Sequence, residues 1–86
     1  MQISSSRNFD KQFRKLPKKI REQFAQRLQL FQSEPGHAQL NLHKLSGKYE
    51  NLWSINITGD LRAILDKNDP SVILFVAIGS HSDLYG

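Results

Sequence analysis

The chain changes its hydrophobic period near the middle. Phe9, Phe13 and Leu16 recur at i, i+4 and i+7, and Ile20, Phe24, Leu28 and Phe31 continue a helical stripe, so two helices are predicted for the first half. The serines at 4–6 supply a start signal for the first helix. Pro17 ends that helix or opens the next one, at a first-turn position where a missing N–H costs little. Pro35 and Gly36 stop the second helix at about Glu34. Ahead of both, residues 1–4 suit a short strand.

Residues 36–47 have no strong period and read as a loop. The period then becomes two. Trp53, Ile55 and Ile57 alternate with Leu52, Ser54 and Asn56, as in a half-buried strand. A turn at residues 58–60 leads to Leu61, Ala63 and Leu65, which resume the alternation. After a second turn at 67–70, residues 71–78 form a nearly continuous apolar run, expected for a strand covered on both faces. The expected fold is α+β, with two N-terminal antiparallel helices packed on a small antiparallel sheet in one two-layer domain spanning 1–86. Only the last eight residues, GSHSDLYG, escape the core pattern.

Composition narrows the setting. At 86 residues the chain buries only about 60 to 65% of its unfolded surface, so its core is expected to be thin. No cysteine is present to add a disulfide or a thiolate metal site. The N-terminus lacks the apolar run of a signal peptide, and no stretch approaches the roughly 20 apolar residues of a membrane span. A soluble, cytoplasmic protein is therefore expected. The formal net charge is +4, unevenly spread. Lys18, Lys19 and six other cations precede residue 31, opposed only by Asp10 and Glu22, whereas carboxylates dominate after Tyr49. A basic half of this kind is either a solvated helical face or a surface that attracts a polyanion.

The polar residues able to carry chemistry lie at strand ends and turns. His81 follows the best strand, where an imidazole is a general acid or base if it is more than a surface residue. Arg62 projects from an apolar strand and needs either a salt bridge to Asp60, Asp66 or Glu50 or a ligand phosphate. Asp60 suits the turn by itself, or orients an imidazole brought to the same sheet edge. His43, in the loop, is a second imidazole that would complete an acid and base pair. Tyr85 stacks on a base or packs the C-terminus. No two histidines have helical metal-ligand spacing, and no glycine-rich phosphate loop occurs, so neither metal nor cofactor is expected. What remains is acid and base chemistry on a phosphodiester, or no chemistry.

The string LHKLSGKYENLWSINITGDLRAIL resembles the RelE/ParE superfamily of bacterial type II toxins, in which an aromatic strand leads into a D-x-R-x-[IV] strand. The ending VAIGSHSDLYG is similar to the YafQ branch, whose last strand runs into a Gly-x-His motif with an aromatic four residues beyond. The resemblance covers nearly the whole chain. It implies a ribosome-dependent mRNA endoribonuclease acting in the A site and held inactive by a cognate acidic antitoxin in a hetero-oligomer. By position His81 matches the C-terminal catalytic histidine, Asp60 the turn carboxylate, His43 the loop histidine, Arg62 the strand arginine used on the scissile phosphate, and Tyr85 the terminal aromatic. One departure is Asn56, where the branch carries a further histidine; an amide hydrogen-bonds but exchanges no proton at neutral pH. Lys18 and Lys19 would dock on small-subunit ribosomal RNA. The same resemblance leaves open a ParE-like gyrase-directed toxin and a non-catalytic binding module.

Overall fold

A computed structural model describes residues 1–85; the last residue of the expected domain, Gly86, lies outside the described residues. Strand β1 (Gln2–Ser5) leads into helices α1 (Arg7–Arg14) and α2 (Lys18–Ser33), and then come β2 (His43–Lys44), β3 (Trp53–Asn56), β4 (Leu61–Asp66), β5 (Val72–Ser80) and a short helix α3 (His81–Tyr85). Single 3-10 turns occupy Ala38–Leu40 and Gly47–Tyr49. The Ser-rich start signal acts through Ser6, whose Oγ accepts a hydrogen bond from Phe9 N at 3.0 Å and satisfies one free donor of α1. Pro17 sits just before α2, and its carbonyl accepts from Ile20 N and Arg21 N.

The strands form one sheet in the order β1-β5-β4-β3-β2. The antiparallel expectation holds for β2 through β5, but β1 lies parallel to β5, so the sheet is mixed. Parallel neighbours need a long crossover, and here nearly the whole chain between the two strands supplies it. Hydrophobic alternation cannot reveal a pairing between the two ends of a sequence. The region read as a loop also contains β2, two residues long and too short to show a period.

β1 pairs with β5 only as far as Phe75. Beyond it, side chains of the first helix and its cap occupy the edge: Ser6 Oγ and Asn8 Nδ2 donate to Val76 O at 3.1 and 3.2 Å, and Ile78 N donates to Gln12 Oε1 at 2.9 Å. Backbone groups that a longer β1 would have paired are thereby satisfied. Gln12→Ala should leave the Ile78 N–H without a partner and lower stability by about 1–3 kcal/mol, measured by urea unfolding.

Alternation on the strands gives the sheet two different faces. Toward α1 and α2 it presents Ile55, Ala63, Leu65, Ile73, Phe75 and Ile78, which pack with Phe9, Phe24 and Phe31. Phe9, Phe13, Phe24 and Phe75 form a ring cluster with centroids 5.2 to 5.7 Å apart, mostly tilted or edge-on, as aromatic quadrupoles favour. The other face carries Ile64 and Ala77, which pack with Leu84 of α3 and with Leu45, Tyr49, Leu52 and Val76. That second, smaller cluster leaves much of its face to polar residues, and the candidate chemistry lies there.

Candidate active site

Four strands lay out the floor. In register, His43 on β2 faces Ser54 on β3, Asn56 on β3 faces Arg62 on β4, and Arg62 faces Gly79 on β5. Because β-strand side chains alternate, Ser54, Asn56, Arg62 and Ile64 share the face turned away from α1 and α2.

Helix α3 forms the wall. Residues 79–86 were expected to lie outside the core pattern; instead Gly79 and Ser80 finish β5, His81–Tyr85 form a helix, and Leu84 is only 2% exposed. Its start is a reciprocal cap, with Asp83 N donating to Ser80 Oγ at 3.1 Å and Ser80 N donating to Asp83 Oδ2 at 3.2 Å. Gly79 lets this turn lie close to the strand, since a Cβ there would meet Asp83 Cβ at 3.2 Å. Tyr49 ties the helix to the loop by donating its hydroxyl to Leu84 O at 2.9 Å. The His81 ring then lies 4.7 Å from the Tyr85 ring, which in turn stands edge-on to Tyr49 at 5.5 Å.

These elements enclose an open cleft of about 350 Å³ lined by Asn41, His43, Leu45, Ser54, Arg62, His81 and Tyr85. Four residues singled out in the sequence, His43, Arg62, His81 and Tyr85, are thus brought together from β2, β4 and α3. Among the described residues no carboxylate lines the cleft. Asp60 does not reach it; it is exposed in the turn between β3 and β4. Asn56 lies beside Arg62 at the edge of the floor, and its Oδ1 is buried with no partner. Lys18 and Lys19 open α2, exposed on the helical layer across the sheet from the cleft.

Arg62 has no ion-pair partner of the kind the sequence left open. Its Nη1 donates to the carbonyls of Thr58, Gly59 and Leu61 at 3.1, 3.2 and 3.3 Å, so one end of the guanidinium is held by the neighbouring turn. Among the described residues neither Nε nor Nη2 has a protein acceptor. A cation held at one nitrogen, with its other nitrogens unmatched and no acid among the described lining residues, is suited to an anion.

His43 is held in one tautomer. Its Nδ1 lies 2.8 Å from Asn41 O, and a carbonyl only accepts, so Nδ1 carries the proton and the neutral ring keeps the Nε2 lone pair. Asn41 is itself in the left-handed region, at φ 46° and ψ 47°, which turns its carbonyl back toward His43. Sequence reasoning passed over Asn41 and Ser54. An Asn two residues before a His is a weak turn signal that could have suggested the first; Ser54, an alternating strand position, gave none.

The fold is the one shared by small RelE-like and YafQ-like proteins of known structure. Residues 1–86 match the family described as "Bacterial toxin of type II toxin-antitoxin system, YafQ", and the chain belongs to that family. No curated protein sequence matches it. Solved structures do. It is similar to YafQ from E. coli strain BL21(DE3), at 19% identity over 98% of this chain and 97% of that one, with a TM-score of 0.82. It also matches a chain of the E. coli DinJ-YafQ toxin-antitoxin complex, at 20% identity, 98% and 96% coverage and a TM-score of 0.81. The RelB-RelE antitoxin-toxin complex from Methanococcus jannaschii matches at 19% identity, 95% and 94% coverage and 0.72.

Proposed function

We propose that this toxin is a metal-independent endoribonuclease that cuts mRNA in the ribosomal A site and is held inactive by an acidic cognate antitoxin. The observation that carries the reading is the cleft itself, in which two imidazoles and an arginine with no carboxylate partner among the described residues line one opening. In-line cleavage of RNA requires these three functions: a base for the 2'-hydroxyl, positive charge at the phosphate and an acid for the leaving oxygen.

His43 Nε2, freed by the Nδ1 contact, takes the 2'-hydroxyl proton. The 2'-oxygen attacks phosphorus while Arg62 stabilises the charge gathering on the phosphoryl oxygens. The P–O5' bond breaks, and the His81 imidazolium protonates the leaving 5'-oxygen. The products are a 2',3'-cyclic phosphate and a 5'-hydroxyl. Asp60, outside the cleft, takes no part in proton transfer, so the base is His43. Tyr85, 39% exposed beside His81, offers a ring on which a codon base stacks. Lys18 and Lys19, across the sheet, serve docking on ribosomal RNA, not chemistry.

The reading is tested by primer extension on a defined mRNA in a purified translation system. Cuts at fixed positions within A-site codons, only with ribosomes present, are expected. Replacing the 2'-hydroxyl by hydrogen at the scissile nucleotide should abolish the cut there; cleavage that survives it would overturn the mechanism. Intact mRNA at inhibitory doses would point to a protein target such as gyrase.

A further inference from the structure

On the floor of the cleft, Ser54 is 1% exposed, yet its Oγ has no hydrogen-bond partner. Two residues along β3, on the same face, the Asn56 Oδ1 is in the same condition. A buried hydroxyl without a partner is costly, and such groups in folded proteins call for an explanation. Ser54 lines the opening, so a bound molecule can supply what the protein does not.

Its place in the register says which part of that molecule. β3 runs between β2 and β4, Ser54 faces His43 on one side, and Asn56 faces Arg62 on the other. The floor between the base and the phosphate clamp is where the nucleophile must lie, because the 2'-oxygen loses its proton to one and attacks phosphorus held by the other. We infer that Ser54 is a catalytic residue whose Oγ–H donates to the ribose 2'-oxygen of the scissile nucleotide. The contact strengthens as that oxygen gains negative charge, and its proton still leaves to His43. This role rests on the ribonuclease reading above. It adds a ligand for the nucleophile, which a bare pair of imidazoles does not provide.

Ser54→Ala provides the test, through two effects of opposite sign. If the hydroxyl is unsatisfied until RNA binds, its removal should raise the thermal midpoint of the free toxin by about 4 °C while slowing single-turnover cleavage about ten-fold. A purely structural serine would lower both. The second measurement is affinity for ribosomes programmed with ribo or 2'-deoxy at the target nucleotide, in a His81→Ala background that keeps the RNA intact. With Ser54 present the deoxy substitution should weaken binding about five-fold, and with Ser54→Ala it should have no effect. A lowered thermal midpoint, or 2'-hydroxyl discrimination that persists without Ser54, overturns the assignment alone. Absence of cleavage by the wild type overturns it together with the ribonuclease reading.

Discussion

His81→Ala should reduce the rate of A-site mRNA cleavage by about 10² to 10⁴-fold, the usual worth of a positioned general acid, while thermal unfolding stays within about 0.5 kcal/mol of the wild type. The split follows from where the residue sits. His81 is exposed at the first position of α3, and its ring lies against that of Tyr85. What holds the helix is the Ser80 and Asp83 cap together with Leu84, all of which remain. The check is single-turnover cleavage beside a melting curve for each protein. Leaving-group chemistry gives a second readout: a substrate with a 5'-thio leaving group, which departs without needing a proton, should restore most of the lost rate. If that substrate is cleaved no faster than the ordinary one by His81→Ala, the histidine is not the acid.

The fold was legible where burial imposes a period. The stripe of Phe9, Phe13 and Phe24 packs on Phe75, and the alternation of residues 53–57 and 61–65 became β3 and β4 because one sheet face rests on that stripe. Parts that depend on distant partners were not legible. β1 owes its place to β5, 70 residues away in register, and β2 is two residues held by pairing to β3. Helix α3 is an intermediate case. Its Ser-x-x-Asp cap is written in the sequence, but five residues form a helix only because Leu84 finds a second small cluster under the loop.

The candidate site divides in the same way. Residue type pointed to His43, Arg62, His81 and Tyr85, and the sheet brings all four to one cleft. Asp60, Asp66 and Glu50 were the salt-bridge partners the sequence offered Arg62, yet Asp60 is exposed in the turn and Arg62 is held by main-chain carbonyls instead. Ser54 was invisible because a serine in an alternating strand gives no signal until its burial and its missing partner are seen.

Arg62→Ala should cost cleavage about 10² to 10³-fold, the size expected when one preorganised donor to a developing anion is removed, with a stability change under about 1 kcal/mol. Had Arg62 been buried in an ion pair, truncation would leave an uncompensated carboxylate and destabilise the protein by about 3–5 kcal/mol. Its partners here are carbonyls of a turn that is partly open to solvent, so water takes the vacated positions. Arg62→Lys should recover little activity. A single ammonium on a shorter reach cannot hold the Thr58 and Gly59 carbonyls and present free donors to phosphate at once. Urea unfolding and single-turnover cleavage on the same preparations decide it: a large loss of stability with Ala, or near-complete rescue by Lys, would show that Arg62 is not the two-ended phosphate clamp described here.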